Sequence, residues 1–130
     1  MPPTLAFSKY HALGNDYVVL DPTRSAFEPT TLLVQALCNR HRGIGADGIL
    51  FGPLPVSGEA GAFGLRVFNP DGSESEKSGN GLRIFARYLL EAGHTQGPDC
   101  RIHVSGGLAE VHYLEGDGSL VQVDMGLPSF

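Results

Sequence analysis

The chain has 130 residues, of which 42% are hydrophobic and 18% are charged. This predicts one compact globular domain over 1–130 and argues against a disordered or fibrous chain. The net charge of -5 argues against non-specific binding to nucleic acid or an anionic membrane. The sequence has neither a signal-peptide pattern nor an apolar run long enough to cross a bilayer, so we expect a cytoplasmic protein.

The first third of the sequence predicts a β-hairpin followed by a helix. Residues 4–7 and 17–21 are apolar and β-branched, and we predict them as strands joined by a long polar tip over 11–16. Pro29 stands at a first helical position, and the helix is expected to end near Arg40. Its apolar stripe consists of Leu32, Leu33, Ala36 and Leu37.

The rest of the sequence predicts strands around a second helix. Residues 49–51 and 64–69 are the next strands, and 69–72 is a turn. A second apolar stripe runs from Leu82 to Ala92, and Gly93 stands where a left-handed C-cap is expected. Three further strands are predicted over 101–104, 108–114 and 120–125. We therefore predict an α+β fold with mostly antiparallel strands, in which the second helix is buried.

Several apparent site patterns have simpler interpretations. The run GIGADG (43–48) matches a dinucleotide-binding pattern, but it follows a helix and precedes a strand, the reverse of the required order. We predict a glycine turn that brings backbone close to a ligand or a neighbour, capped by Asp47. Cys38 and His41 have half of a zinc-site spacing without a second pair, so no metal site is expected. Cys38 is predicted to be a small buried hydrophobe, and Cys100 lacks an activating helix N-terminus.

Two further sets of polar residues do not form a predicted site. The acids Asp71, Glu74 and Glu76 lack a calcium-loop pattern, and we interpret them as favouring the start of the helix that follows. The histidines recur at no metal-ligand spacing and are expected to be surface residues or hydrogen-bonding partners. They are His11, His41, His94, His103 and His112.

The segment Ser78-Gly79-Asn80-Gly81 places a hydroxyl and small residues at the start of the second helix. Free backbone amides and the helix dipole at such an end suit a carboxylate, although plain N-capping by serine is an alternative. Asn15 and Asn69 lie in predicted loops, where their amides suit a zwitterionic amino acid. Ordinary turn chemistry is the alternative for both.

Four segments together resemble the diaminopimelate epimerase family: FSKYHALGNDYVVLD, NRHRGIGADGIL, FNPDGSESEKSGNGLRIFARYL and VDMGLP. The resemblance implies an amino-acid epimerase that uses no pyridoxal phosphate and needs no other cofactor. It implies two similar halves, each with strands wrapped around a central helix, and a diamino acid held between them. Only the first half is matched by these segments. The missing C-terminal half, or a second copy of this domain, is the expected partner.

The resemblance also assigns roles to particular residues. In this family a pair of cysteines, one from each half, removes and returns the α-proton, and the first of them precedes Gly-Asn-Gly. Ser78 occupies that catalytic position here. By the same matching, Asn15 and Asn69 bind substrate, and the amides of Gly79 and Asn80 bind its α-carboxylate. Because a hydroxyl is a far weaker acid than a thiol, the location of the site transfers more readily than the reaction.

Three hypotheses follow. The first is the N-terminal domain of an isomerase of lysine or cell-wall biosynthesis, inactive alone because the opposing acid is absent. The second is half of a lyase that eliminates water from a β-hydroxylated amino acid. The third is a non-catalytic amino-acid-binding module that forms a two-fold homodimer.

Overall fold

A computed structural model describes residues 7–12, 14–24, 30–39, 45–56, 58, 61–75, 79–105, 107–114 and 121–125. Its elements follow in the order β1 (Phe7–Ala12), β2 (Asn15–Leu20), α1 (Thr31–Cys38), β3 (Gly48–Leu54), β4 (Ala62–Phe68), β5 (Glu74–Ser75), α2 (Gly79–Glu91), β6 (Asp99–Val104), β7 (Gly107–Tyr113) and β8 (Val121–Met125).

The strands form one sheet in the order β1-β2-β3-β4-β6-β7-β8, and the short strand β5 pairs with β4. The pairs β2–β3 and β4–β6 are parallel, and the other pairs are antiparallel. The predicted α+β class with mostly antiparallel strands is therefore confirmed. No helix of the described residues is long and apolar enough to cross a membrane.

The central strands carry apolar side chains on both faces. Along β2, Val19 packs in the cluster around α2, whereas Val18 and Leu20 pack in a second cluster with Val34 of α1. Because successive strand residues point to opposite faces, the two helices cover opposite faces of the sheet. This explains why β2 and β3 read as continuous apolar runs and do not alternate with polar residues.

The helix α2 is the predicted buried helix. Its side chains Leu82, Phe85 and Leu89 are at most 1% exposed, and they pack in the same cluster as Ile102 of β6 and Val111 of β7. The 3–4 residue spacing gives a helix with one strongly apolar face. Strands β6 to β8 continue the sheet past this face, so that the sheet curves around α2.

The predicted left-handed C-cap of α2 is confirmed. Gly93 has φ of 82°, and the amides of Gly93 and His94 donate to the carbonyls of Leu90 and Leu89, at 3.2 and 2.9 Å. These two bonds form a Schellman motif, which satisfies carbonyls that the helix leaves unpaired.

We expect Gly93→Ala to lower the free energy of unfolding by about 1 kcal/mol, because a Cβ is unfavourable at positive φ. Nothing lies within 4 Å of the added Cβ, so the effect reports backbone conformation alone. Gly93→Asn is the matched control, since asparagine tolerates this region and should lose less. Urea denaturation measures both changes, and equal losses in the two variants would contradict the interpretation.

Two predicted boundaries are wrong. The helix α1 begins at Thr31, with Thr30 as N-cap accepting a bond from the Leu33 amide, and ends at Cys38. Pro29, the predicted first helical residue, and Arg40, near the predicted end of the helix, lie outside the described residues. The long hairpin tip is also wrong, because β1 continues to Ala12 and His11 pairs with Asp16 of β2. Residues 4–6 of the predicted first strand lie outside the described part of the chain.

Candidate functional site

Asn15 and Asn69 lie at the same edge of the sheet. Asn15 is the first residue of β2, and two residues later Tyr17 pairs with Gly48 at the start of β3. Ile49 of β3 pairs with Phe68, the last residue of β4, and Asn69 follows directly. The two asparagines are therefore separated by two strand spacings across the sheet and two residues along it, roughly 12 Å between Cα atoms.

Both asparagines also belong to the face of the sheet that α2 covers. Asn15 alternates in step with Tyr17 and Val19, both of which pack in the α2 cluster. Asn69 is one residue past β4, but its amide bond to the Ser73 carbonyl continues the pairing of β4 with β5, so that it alternates in step with Val67 of the same cluster. Side chains two residues apart along a strand share a face. Asn15 is half-buried and Asn69 is exposed, which places the pair at the open margin of the helix-covered face.

The helix α2 begins close to this edge. Its first residue is Gly79, followed by Asn80. Three residues connect Gly79 to Ser75, which pairs with Val67, so the two Cα atoms are no more than about 15 Å apart. The first backbone amides of an α-helix have no acceptor within the helix. Ser78 lies outside the described residues, as does the side chain of Asn80.

The turn after β4 holds Asn69 in place. The Asn69 amide donates to the Ser73 carbonyl at 2.7 Å, and its Nδ2 donates to Ser73 Oγ at 3.0 Å. Asp71 Oδ1 accepts from the Ser73 amide and hydroxyl, at 2.8 and 2.6 Å. These bonds to Ser73 lower the pKa of Asp71. Asn69 thus takes part in the turn chemistry given as its alternative, and the same turn fixes its position at the sheet edge.

The predicted role of the nearby acids at a helix start is wrong for two of them. Asp71 accepts bonds within its own turn, and Glu74 lies on β5, where it accepts from Arg66 at 3.0 and 2.7 Å. Glu76 lies outside the described residues.

Asp47 joins the start of β3 to the start of β2. Its Oδ2 accepts from the Asp16 amide at 2.7 Å, and its own amide donates to the Asp16 carbonyl at 2.7 Å. The sequence predicts that Asp47 caps its own glycine turn; its carboxylate instead accepts from a backbone amide of the neighbouring strand β2. Gly48 meets the expectation of close approach, since a Cβ there would lie 2.8 Å from the Tyr17 ring. Gly43 and Ile44 lie outside the described residues.

Both cysteines are buried and neither forms a disulfide; burial is the prediction for Cys38. Burial, the largest influence, raises the pKa of Cys100, so its thiol is not an activated nucleophile. Among the described residues no three His, Cys, Asp or Glu side chains are grouped to hold a metal ion. A cleft of about 510 Å³ lies elsewhere, beside β6 and β7, and is lined in part by Arg101, Glu110 and His112.

Sequence reasoning missed one buried network. Asp21 follows β2 and is 2% exposed. Its carboxylate accepts from the Tyr88 hydroxyl at 2.5 Å, from His94 Nε2 at 2.7 Å and from the Thr23 amide at 2.8 Å. Tyr88 and His94 are 67 and 73 residues away in sequence, so no local pattern signals the contact. The network ties the C-terminal end of α2 to β2.

Known proteins resemble this chain over most of its length. A family model described as diaminopimelate epimerase matches residues 7–130. The chain belongs to the diaminopimelate epimerase family. Diaminopimelate epimerase 2 of a Nostoc species is 49% identical over 126 residues, which are 97% of this chain and 43% of the relative. Diaminopimelate epimerase of a Picosynechococcus species is 48% identical, over 95% of this chain and 44% of the relative.

The chain therefore spans less than half the length of these curated relatives. Solved structures of phenazine biosynthesis proteins of the PhzF family match the fold. The Bacillus anthracis protein has a TM-score of 0.57 at 18% identity, over 83% of this chain and 34% of its own. The Clostridium difficile protein has a TM-score of 0.56 at 16% identity, over 83% and 39%. This likeness concerns the fold alone and supports one half of a diaminopimelate epimerase-like architecture.

Proposed function

We propose that this chain is the N-terminal half of an amino-acid epimerase that interconverts stereoisomers of diaminopimelate in lysine biosynthesis, in the cytoplasm. The observation that carries the proposal is the sheet edge, where Asn15 and Asn69 share the face covered by α2. The substrate would lie against this edge, opposite a C-terminal half like that of the relatives.

The chemistry of the edge suits an amino acid. The amides of Gly79 and Asn80 at the start of α2 would donate to the α-carboxylate, which the helix dipole also favours. The asparagine side chains offer both donors and acceptors, and so match a carboxylate and an ammonium group on one molecule. Ser78 would lie beside the α-carbon, where its hydroxyl is too weak an acid to serve as an efficient base.

We expect the 130-residue chain alone to be inactive, because epimerisation needs a proton donor on the face opposite the base. The measurement is entry of solvent deuterium at the α-carbon of LL-diaminopimelate, followed by proton NMR. Exchange should not exceed that in buffer alone. A measurable rate with the purified chain would overturn the proposal that both halves are required.

Two alternatives give different results in the same experiments. A lyase would release a keto or imino product without inverting the stereocentre. A non-catalytic module would sediment as a dimer, with the face that meets the C-terminal half covered by a second copy. Product analysis and sedimentation therefore distinguish these functions from an epimerase half.

A further inference from the structure

We propose that Asp47 is a positioning residue that holds Asn15 in place from outside the substrate pocket. The proposal concerns the pair of hydrogen bonds between Asp47 and Asp16, which we call the Asp47 bridge. Its ligand-binding consequence rests on the proposed function, whereas its effect on the order of Asn15 does not.

The bridge fixes the backbone next to Asn15 at two points. The Asp16 amide donates to Asp47 Oδ2 and the Asp16 carbonyl accepts from the Asp47 amide, each at 2.7 Å. These two short bonds restrain the peptide units on either side of the Asp16 Cα, and the first of them is the unit that joins Asn15 to Asp16. Since Asn15 is the preceding residue, the direction in which its side chain leaves the strand is restrained as well.

The bridge extends the sheet at a point where regular pairing stops. The parallel pairing of β2 with β3 begins at Tyr17 and Gly48, one residue after Asp16 and Asp47. Without the carboxylate, the Asp16 amide would lose its bond to Asp47 Oδ2, and of the bridge only the bond from the Asp47 amide to the Asp16 carbonyl would remain. A strand end held by fewer hydrogen bonds frays more readily.

The side chain of Asp16 belongs to the opposite face from Asn15. His11 and Asp16 are paired across β1 and β2, and His11 Nδ1 lies 2.6 Å from Asp16 Oδ1. Adjacent strand residues point to opposite faces, so this hydrogen-bonded pair and Asn15 leave the sheet in opposite directions. The pocket proposed above is on the α2 face. The His11–Asp16 pair therefore lies on the opposite face, where it links β1 to β2 without contacting substrate.

The test compares Asp47→Ala with Asp47→Asn in the full 130-residue chain. Asparagine keeps a side-chain oxygen that accepts from the Asp16 amide, whereas alanine removes the acceptor. In ¹⁵N-labelled protein without ligand, Asp47→Ala should accelerate hydrogen exchange of the Asp16 amide and lower the order parameter of the Asn15 side-chain amide. Asp47→Asn should resemble the wild type in both. Asp124→Ala, which removes an exposed carboxylate on β8, is the control and should change neither.

A titration with LL-diaminopimelate tests whether the bridge affects ligand binding. Binding is monitored by the chemical shifts of the Asn15 side chain and of the Gly79 and Asn80 amides. We expect the Kd of Asp47→Ala to rise about tenfold, as for loss of one preorganised contact, with Asp47→Asn restoring wild-type affinity. Equal affinity in wild type and Asp47→Ala would overturn the positioning role and leave the proposed function standing. Absence of shifts in the wild type would overturn the proposed pocket, and the exchange data would still decide the bridge. An unchanged order parameter of the Asn15 side-chain amide in Asp47→Ala would overturn the proposal that the Asp47 bridge positions Asn15.

Discussion

Asp21→Ala is expected to lower the free energy of unfolding by about 3 kcal/mol, because it leaves the buried Tyr88 hydroxyl and two part-buried donors without this acceptor. The Tyr88 hydroxyl, His94 Nε2 and the Thr23 amide all donate to this carboxylate. Asp21→Asn should cost nearly as much, since its amide nitrogen would face other donors. The control is Asp124→Ala, which removes a carboxylate whose side chain is 55% exposed and should change stability by less than about 0.5 kcal/mol.

The same carboxylate predicts an acid-sensitive contribution to stability. Burial by itself raises the pKa of Asp21, but hydrogen bonds from Thr23, Tyr88 and His94 outweigh it and lower the pKa below the usual value of 3.8. A lowered pKa in the folded state contributes stability that is fully present above the unfolded pKa and is lost as pH falls through the folded pKa. The difference in free energy of unfolding between wild type and Asp21→Asn should therefore become smaller below about pH 4.

Urea denaturation between neutral pH and acid measures this dependence. A double-mutant cycle with Tyr88→Phe separates the Tyr88 contact from the others, with an expected coupling of about 1–2 kcal/mol. If the difference in free energy of unfolding between wild type and Asp21→Asn stays constant over the whole pH range, the lowered pKa of Asp21 is contradicted. An additive cycle would contradict the Tyr88 contact, because additivity means that the hydroxyl and the carboxylate do not interact.

The parts of the fold that sequence predicts well are those set by local periodicity. The stripe from Leu82 to Leu89 predicts α2, and Gly93 predicts its end, because helix packing and capping depend on neighbours within a few turns. The hairpin tip was wrong because His11 and Asp16 are polar. Their side chains form a hydrogen bond across β1 and β2, and both residues remain in the strands.

For the candidate site, too, sequence identifies some residues, whereas it does not predict the contacts between strands. The motifs around Asn15 and Asn69 identify residues that the strand register then brings to one edge. Contacts made across the sheet have no sequence signature. The bond from the Asp16 amide to Asp47 spans 31 residues, and it depends on the parallel pairing of β2 with β3, which no pattern in either strand specifies. The role of Asp21 is not predicted either, because its partners Tyr88 and His94 are 67 and 73 residues away in sequence.

The largest functional effect is expected at position 78, in a protein that joins this chain to the C-terminal half of the Nostoc relative. A thiol has a pKa near 8.5, and the pKa of an alcohol is several units higher, closer to that of water. A difference of about five units costs on the order of 7 kcal/mol, against about 1–2 kcal/mol from a helix N-terminus. We therefore expect Ser78→Cys to accelerate deuterium entry at the α-carbon at least about 1000-fold.

Two variants of the joined protein control for other causes. Ser105→Cys adds a thiol at an exposed turn and should leave the exchange rate unchanged, so that a gain at position 78 reports location as well as chemistry. Ser78→Ala shows what the hydroxyl contributes. If the alanine variant equals the serine form, the hydroxyl transfers no proton at a measurable rate. If Ser78→Cys gives no gain while LL-diaminopimelate still shifts the Gly79 and Asn80 amides, position 78 is not beside the α-carbon, and the proposed placement of the base is wrong.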